Sequence, residues 1–315
     1  MSDKTDVALV MGVLGIGAMP LLLADTLGLF KQQGLNVAVL SAPAGNAAVL
    51  RSVLSGKADV GLGNYDDTIQ TQVQGPELQA VVLTDTLPGV VLAIRSELAD
   101  RIKSPADFKG LRVGVPLLGS AGEAMVRTML QQAGVAGTDV AIVATGYGDS
   151  ALLAVERKSV DVVVNYDPAM TILERLGKIR VLTDTRTQVG CIAAYGGLYP
   201  SLCLYGPRAF IDLHPVATQR LANALVGGLR YLHSRTGAEA LDAIAPKYRL
   251  GDRTLALALL EKSRQRFSRN GHFDPAALQT PLRIVSVFDS KIAAAQIDLS
   301  RTYTNAFVAA VPPPA

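Results

Sequence analysis

The sequence predicts an α/β protein of two similar lobes, each built on a parallel-rich sheet flanked by helices. Short apolar strands alternate along the chain with helices of about ten residues, which is typical of a parallel sheet covered on both faces. The tripeptide Asn-Tyr-Asp occurs at 64–66 and again at 165–167, each time after a helix, a polar turn and an apolar strand. With 315 residues, the chain is long enough for two hydrophobic cores.

The first lobe begins with an uncharged segment, Val7–Ala24, which is close to the length of a membrane span. It contains Gly12, Gly15 and Gly17 ahead of Pro20, so we interpret it as a strand, a glycine-rich turn and the start of a helix. The pattern that follows predicts strands over 7–13, 36–40, 60–62 and 78–84, and helices over 20–31, 46–55 and 67–73.

The pattern breaks at Leu87-Pro88-Gly89, and the apolar strand over 90–95 is expected to cross into the second lobe. Ser104, Pro105 and Asp107 have the spacing of a capped helix start. The second lobe then has predicted strands over 112–115, 140–144, 160–164 and 179–182, and helices over 120–133, 150–157 and 168–176.

A second apolar strand, Cys203–Tyr205, is expected to return the chain to the first lobe. The remainder is a helical C-terminal part, with helices predicted over 215–235, 238–245, 253–267 and 275–297. These assignments place lobe 1 at 1–89 and 204–315 and lobe 2 at 90–203, with a ligand cleft expected between the two lobes.

Loops rich in Gly, Ser and Asn follow the predicted strands and precede helices, at 15–19, 41–46, 118–122 and 146–149. Free backbone N–H groups at a helix start bind anions, although such loops often serve only as turns and caps. Their recurrence in both lobes favours a shared site, because ligands of open α/β sheets bind at the carboxyl ends of the strands.

The repeated tripeptides lie at the same kind of strand end. Asp66 and Asp167 each open a helix, and we expect helix capping from them in preference to contact with a ligand amine. Tyr65 and Tyr166 offer an aromatic face and a hydroxyl to a small polar ligand, and partial burial against the neighbouring helix is the open alternative.

Composition argues against several other functions. The net charge is only +3 and Trp is absent, so the basic stripe or stacking platform of a nucleic-acid-binding protein is not expected. Gly15-Ile16-Gly17 lacks the third glycine and the later acid of a dinucleotide-binding motif. The three histidines fall in the helical C-terminal part, and no nucleophile has a paired base. We expect no catalytic residue, metal or cofactor.

The two cysteines, Cys191 and Cys203, lie symmetrically about Gly197. If a turn joins two strands here, the sulfurs face one another and a disulfide is feasible. Two buried free thiols are the alternative, and we favour it.

Several segments resemble the solute-binding proteins of the nitrate/sulfonate/taurine class of ABC importers, which include the thiamine-pyrimidine binders. The resemblance is carried by Pro20–Val37 with its Gly-Leu-Phe and Gly-Leu pairs, by Ser55–Gly61, and by Ile102–Val115. Asp161-Val162 with Asp167-Pro168 is similar to the corresponding element of the second lobe. The resemblance spans nearly the whole chain and is densest between residues 20 and 200.

The resemblance implies a type II periplasmic binding protein fold, with two crossing strands as a hinge, that closes on a small solute and delivers it to a membrane permease and its ATPase. It also implies a monomer and a periplasmic or extracytoplasmic location, although the N-terminal segment lacks the positive region and cleavage site of a secretory signal. The ligand contacts that it implies are Gly17, Ala18, Gly45, Asn46, Asn64, Tyr65, Ser120, Ala121, Asn165, Tyr166 and Asp167.

The class of solute stays open among sulfonates, carboxylates, nitrate, amines and pyrimidines, with a preference for an organic acid. Enzymes with a similar fold, pyrimidine-precursor synthases and a sulfinate desulfinase, supply the alternative function. The placement of the cysteines near the predicted crossing strands disfavours that alternative.

Overall fold

The computed structural model describes residues 4–12, 14–42, 45–248 and 251–313. The chain divides into two compact units. Unit 1 comprises Met1–Thr86, Pro200–Leu282 and Lys291–Ala315, and unit 2 comprises Leu87–Tyr199 and Arg283–Ser290. The changes of unit therefore fall a few residues before the predicted lobe boundaries, and a short C-terminal segment belongs to unit 2.

The strands of the described residues, numbered in chain order, are short. They are β1 (Asp6–Met11), β2 (Asn36–Ser41), β3 (Val60–Asn64), β4 (Leu78–Asp85), β5 (Val91–Arg95), β6 (Arg112–Val115), β7 (Ala141–Ala144), β8 (Val162–Asn165), β9 (Ile179–Asp184) and β10 (Leu202–Pro207). Every strand predicted from the sequence is present, with ends that differ by a few residues. The core strands β4 and β5 are buried along their whole length.

The two sheets share one topology. Unit 1 has the order β2-β1-β3-β10-β4 and unit 2 has β7-β6-β8-β5-β9. In each sheet the first three strands of this order are parallel to one another. The fourth strand runs antiparallel to both of its neighbours. The predicted duplication is therefore confirmed at the level of strand order.

The repeat extends to the opposite end of the sheets. Asp59 Oδ2 accepts a hydrogen bond from the N–H of Ala8 at 2.8 Å in unit 1. Asp161 Oδ2 accepts one from the N–H of Arg112 at 3.0 Å in unit 2. Each carboxylate thus ties the turn before the third parallel strand to the first one, as a structural turn residue would.

The α-helices of the described residues are α1 (Met19–Thr26), α2 (Leu29–Gln32), α3 (Asn46–Leu54), α4 (Asp66–Gln74), α5 (Ala121–Gln132), α6 (Asp149–Glu156), α7 (Ala169–Arg175), α8 (Gln188–Tyr195), α9 (Arg208–Leu213), α10 (Pro215–Ser234), α11 (Gly237–Asp242), α12 (Arg253–Ser263), α13 (Gln279–Phe288), α14 (Ser290–Ala294) and α15 (Ala306–Ala309). The predicted helix over 20–31 is divided at Gly28, whose φ of 68° suits glycine. The predicted helix over 275–297 is likewise two helices, α13 and α14.

The segment around the cysteines corrects one expectation. Cys191 lies on helix α8, which the Thr187 hydroxyl caps at one end and Gly196 closes with a φ of 72° at the other. Cys203 lies on strand β10, and both cysteines are buried free thiols. The geometry of two facing strands was therefore wrong, whereas the prediction of buried free thiols is confirmed.

Each unit has its own hydrophobic core. In unit 1, α1 and the 20-residue α10 cover the sheet, and Leu221, Leu225 and Leu229 of α10 are essentially inaccessible. Burial of each such leucine contributes about 1.5–3 kcal/mol. Unit 2 has a separate cluster that includes Phe108, Met125 and Tyr195. None of the helices in the described ranges has the length and apolar character needed to cross a bilayer.

Candidate functional site

The carboxyl ends of the parallel strands of unit 1 meet along one edge of its sheet. Met11 of β1 pairs with Ser41 of β2. Leu202, the first residue of β10, is opposite both Asn64 of β3 and Asp85 of β4. Loops that leave this edge lead into α1, α3 and α4, so the edge collects the residues that the sequence singled out in this half of the chain.

Asn46 and Asn64 lie together at this edge of unit 1. Asn46 Nδ2 donates to Asn64 Oδ1 at 2.5 Å, and both side chains are partly exposed. Gly45 precedes α3 with a φ of 82°, a conformation that favours glycine. Gly17 and Ala18 belong to a short 3₁₀ turn, Ile16–Ala18, that leads into α1.

Tyr65 does not present its side chain at this edge. It is 0% exposed, its ring stacks at a tilt on Phe273, and its hydroxyl shares a 2.5 Å hydrogen bond with Thr302 Oγ1. Burial raises the pKa of Tyr65 above its ordinary value. Of the two alternatives, burial against neighbouring elements therefore holds for Tyr65, whose side chain serves the fold of unit 1.

Unit 2 forms a corresponding edge from the loops after β6, β7 and β8. Asn165 is buried, and its Nδ2 donates to the carbonyl of Gly146 at 2.9 Å, which fixes the β7–α6 loop. That loop holds Tyr147, which is 53% exposed and lies 6.1 Å from the half-buried ring of Tyr166, centroid to centroid. The pair gives the edge an accessible aromatic surface.

The remaining predicted residues of unit 2 have structural contacts. Ser120 precedes α5 and its Oγ accepts from the N–H of Glu123, with Ala121 as the first helical residue. Asp167 Oδ1 accepts from the N–H of Thr171 in α7 at 3.1 Å. Asp167 thus binds an N–H of the first turn of α7, although Pro168 occupies the N-cap position. Asp66 is itself the first residue of α4, whose N-cap residue is Tyr65.

A second repeated element went unnoticed in the sequence. Val-Leu-Thr-Asp-Thr occurs at 82–86 and again at 181–185. The aspartates, Asp85 and Asp184, end β4 and β9 and are opposite the first residues of β10 and β5, Leu202 and Val91. They hold equivalent positions in the two sheets, and a search for internal repeats would have found them.

Both aspartates are paired with arginine. Asp184 accepts from Arg186 through both carboxylate oxygens, at 2.8 and 2.7 Å. Asp85 is completely buried and accepts from Arg266 Nη2 at 2.5 Å. Burial raises the pKa of Asp85 to about 6, although the positive charge of Arg266 opposes this. Arg266 is 181 residues away in sequence, which is why the pair was not predicted.

The helix starts at each edge differ in the acids of their first turns. The first turns of α1 and α3 consist of uncharged residues, Met19-Pro20-Leu21 and Asn46-Ala47-Ala48. Glu123 occupies the first turn of α5, where its Oε2 takes the N–H of Gly119 at 2.7 Å, and Asp149 opens α6. The dipoles at the starts of α1 and α3 are therefore left for an anion, whereas acids occupy the start of α4 in unit 1 and the starts of α5 and α6 in unit 2.

Other parts of the described chain contribute less chemistry. Within those ranges, no three His, Cys, Asp or Glu side chains are grouped as a metal site requires. A cavity of about 260 Å³ at the far end of the unit 2 sheet includes Arg95, Glu97 and Lys158 in its lining. Arg95 contacts Asp161 at 3.0 Å and Lys158 contacts Glu97 at 2.9 Å, so these charges are already paired.

The sequence profile of the NMT1/THI5-like family matches residues 16–236 of this chain. The chain belongs to that family. A protein of solved structure from Bordetella bronchiseptica is 31% identical, with a TM-score of 0.83, and the match covers 97% of this chain and 96% of that one. The NMT1/THI5-like assignment and the duplicated sheets agree with the resemblance drawn from the sequence.

A more distant structure shares the fold of this NMT1/THI5-like chain, and two enzymes are similar to part of its sequence. The periplasmic aliphatic sulphonate-binding protein SsuA from Escherichia coli is 18% identical, with a TM-score of 0.76, over 95% of this chain and 91% of SsuA. Two 4-amino-5-hydroxymethyl-2-methylpyrimidine phosphate synthases from Saccharomyces cerevisiae are 28% identical over 130 residues, which are 41% of this chain. The match spans 36% of the length of those synthases.

Proposed function

We propose that this protein is the extracytoplasmic solute-binding component of an ABC importer. It binds a small organic anion of the sulfonate or carboxylate class, and as a monomer it delivers this solute to a membrane permease and its ATPase. The contacts that we propose lie at the carboxyl edges of the sheets. The observation that carries the proposal is the duplicated edge, in which equivalent strand ends carry Asn64 and Asn165 with glycine-rich loops beside them.

The proposed contacts are the predicted residues with three changes of role and one addition. Gly17, Ala18, Gly45, Asn46, Asn64, Ser120, Ala121 and Tyr166 remain proposed contacts, and Tyr147 joins them. Asn165 acts through the loop that its amide holds, and the side chains of Tyr65 and Asp167 stabilise their units. The NMT1/THI5-like family and a fold shared with SsuA support the proposal.

An enzyme on the same scaffold is the second candidate, because part of the sequence is similar to the yeast pyrimidine phosphate synthases. Nucleophilic catalysis by cysteine requires an accessible thiolate. Burial instead raises the pKa of the Cys191 thiol to about 12, and complete burial also raises the pKa of Cys203 well above its ordinary value. These properties favour binding without conversion.

A thermal-shift screen tests the proposal. The probes are taurine, butanesulfonate, acetate, benzoate, nitrate and 4-amino-5-hydroxymethyl-2-methylpyrimidine. We expect one probe to raise the Tm, since a ligand at a hundred times its Kd stabilises the folded state by about 2.7 kcal/mol. Mass spectrometry after incubation, with a protein-free sample as control, should recover that probe unchanged. Conversion of the probe, or stabilisation by none of the six, contradicts the proposal.

A further inference from the structure

The two arginines at the equivalent aspartates are used differently. In unit 2, Arg186 is 2% exposed and its Nε and Nη2 bind both oxygens of Asp184. Its Nη1 donates to Asp167 Oδ2 at 3.0 Å and to Thr171 Oγ1 at 2.9 Å. Each nitrogen of this guanidinium therefore has an acceptor within unit 2, and Arg186 links strand β9 to helix α7.

In unit 1 the equivalent aspartate, Asp85, is linked to its arginine by a single hydrogen bond, from Arg266 Nη2 to Asp85 Oδ2. Arg266 Nε and Asp85 Oδ1, which would complete a two-pronged pair, are buried without a hydrogen-bond partner among the described residues. A buried polar group without a partner in a native protein calls for an explanation such as an absent ion or ligand.

The backbone delivers Arg266 to the carboxyl edge. The carbonyl oxygen of Arg266 accepts from the N–H of Thr86 at 2.6 Å and from the Thr86 hydroxyl at 2.9 Å. Ser268 continues this pairing along β4, where its N–H donates to the carbonyl of Thr84 at 2.8 Å. The segment that follows α12 thus adds to the edge of β4 and sets the guanidinium beside the end of the strand.

Gly17 lies against the same guanidinium. A Cβ atom at Gly17 would be 3.5 Å from both Arg266 Nη2 and Asp85 Oδ2. The turn Ile16–Ala18 and the uncharged start of α1 are therefore next to a positive side chain that is 14% exposed. A buried ion pair with donors to spare, at a helix start without acids, favours an anionic guest.

We propose that Arg266 is the residue that binds the anionic group of the solute, whereas its counterpart Arg186 is structural. The inference rests on the proposed function and names the unit and the side chain that recognise the anion. The planar guanidinium has more than one donor for the oxygens of a sulfonate or carboxylate, a geometry that lysine does not offer. Asp85 neutralises the arginine when no solute is bound.

The test compares the affinities of taurine, butanesulfonate, acetate and benzoate for the wild-type chain and its variants by calorimetric titration. In Arg266→Gln we expect the anion that binds the wild-type chain to bind about ten- to a hundredfold more weakly, the range for a hydrogen bond to a charged group. Arg266→Lys should recover part of this loss. The matched control is Arg269→Gln, which removes the same charge from an exposed position three residues away and should bind normally.

Arg186→Gln provides the contrast, because it should lower the Tm by leaving Asp184 and Asp167 without their partner. If Arg266→Gln fails to fold, Asp85→Asn/Arg266→Gln removes both charges and leaves no buried carboxylate unpaired. Unchanged anion affinity in the folded variant overturns the role of Arg266 and leaves the proposed function standing. Binding of the pyrimidine but of none of the four anions overturns the inference and the anionic class of the solute, whereas no binding of any probe overturns the whole proposed function.

Discussion

At the scale of single residues, the buried carboxylate of Asp67 makes the stability of unit 1 depend on pH. Asp67 on α4 is 7% exposed and accepts a 2.8 Å hydrogen bond from the Tyr205 hydroxyl. Burial raises the pKa of Asp67 to about 7, the bond from Tyr205 opposes the rise, and the neighbouring Asp66 adds to it. Ionised Asp67 therefore destabilises the fold.

A pH titration of stability tests this directly. Because the pKa of Asp67 is higher in the folded chain than the ordinary 3.8, the folded state binds more protons, and the free energy of unfolding falls as the pH rises from about 4 to 7. Asp67→Asn should reduce that fall, while Tyr205 keeps an acceptor. Urea unfolding at several pH values measures the free energy of unfolding of both proteins.

Asp161→Asn is the control for that titration. Although burial raises the pKa of Asp161, hydrogen bonds from Arg112 and Arg95 lower it to about 2. Its stabilising effect is present above pH 4 and is lost only as the pH falls toward 2. Asp161→Asn should therefore lower the free energy of unfolding by a constant amount above pH 4 and change its slope with pH only in the acid limb. A stability curve that is the same for Asp67→Asn and the wild-type chain between pH 4 and 7 would contradict the assigned cause.

At the scale of secondary-structure elements, unit 1 depends on the close packing of α1 against α10. A Cβ atom at Gly228 would lie 2.1 Å from the carbonyl oxygen of Pro20, so only glycine lets the two helices approach this closely. At the adjacent Gly227, a Cβ atom would meet only the end of the Leu29 side chain, at 2.9 Å. Close helix packing therefore requires glycine at position 228, whereas at position 227 the neighbouring side chain can make room for a larger residue.

Alanine at these two positions should act in opposite directions. Alanine is favoured over glycine inside a helix by about 1 kcal/mol. In Gly228→Ala the backbone clash should exceed this gain and lower the free energy of unfolding by roughly 1–3 kcal/mol or more, as overpacked cores do. Gly227→Ala is expected to be neutral or stabilising, since Leu29 can move. Equal stabilities of the two variants, measured by thermal unfolding, would disprove the packing argument.

At the scale of the whole molecule, the chain contains two sheets of one topology, and the side chains at their carboxyl edges differ. The unit 1 edge has Asn46, Asn64 and the Asp85–Arg266 pair beside the uncharged starts of α1 and α3. The unit 2 edge has the Tyr147–Tyr166 aromatic pair, with acids at its helix starts.

If one solute contacts both edges, single substitutions in either unit should weaken its binding. Asn46→Ala in unit 1 and Tyr147→Ala in unit 2 are each expected to reduce the affinity about tenfold, or ~1.4 kcal/mol. The matched controls are Lys57→Ala and Lys109→Ala, exposed residues near the other ends of the two sheets, which should bind normally. Weakening confined to variants of one unit, in calorimetric titrations of the same solute, would show that the other edge takes no part.

Much of the fold was predictable because it depends on local patterns. Strand alternation, the capping box at Ser104 and Asp107, and the two Asn-Tyr-Asp elements gave the strands and their duplication. Helix α8 was missed because its signals, Thr187 and Gly196, bound a segment whose small and apolar residues also suit strands. The long predicted C-terminal helix divides between Phe288 and Ser290, in a region with little helix-breaking sequence.

The sequence by itself determined that one α/β unit is present twice and which strand ends carry polar residues, since both follow from spacing along the chain. Only the tertiary structure decided what each copy does with them. Tyr65 is buried because Thr302 and Phe273 come from the C-terminal part to cover it, whereas Tyr166 stays half-exposed beside Tyr147. Asp85 meets an arginine from 181 residues away, whereas Asp184 meets one two residues away. Partners that are distant in sequence leave no local pattern, so identical motifs acquire different roles on folding.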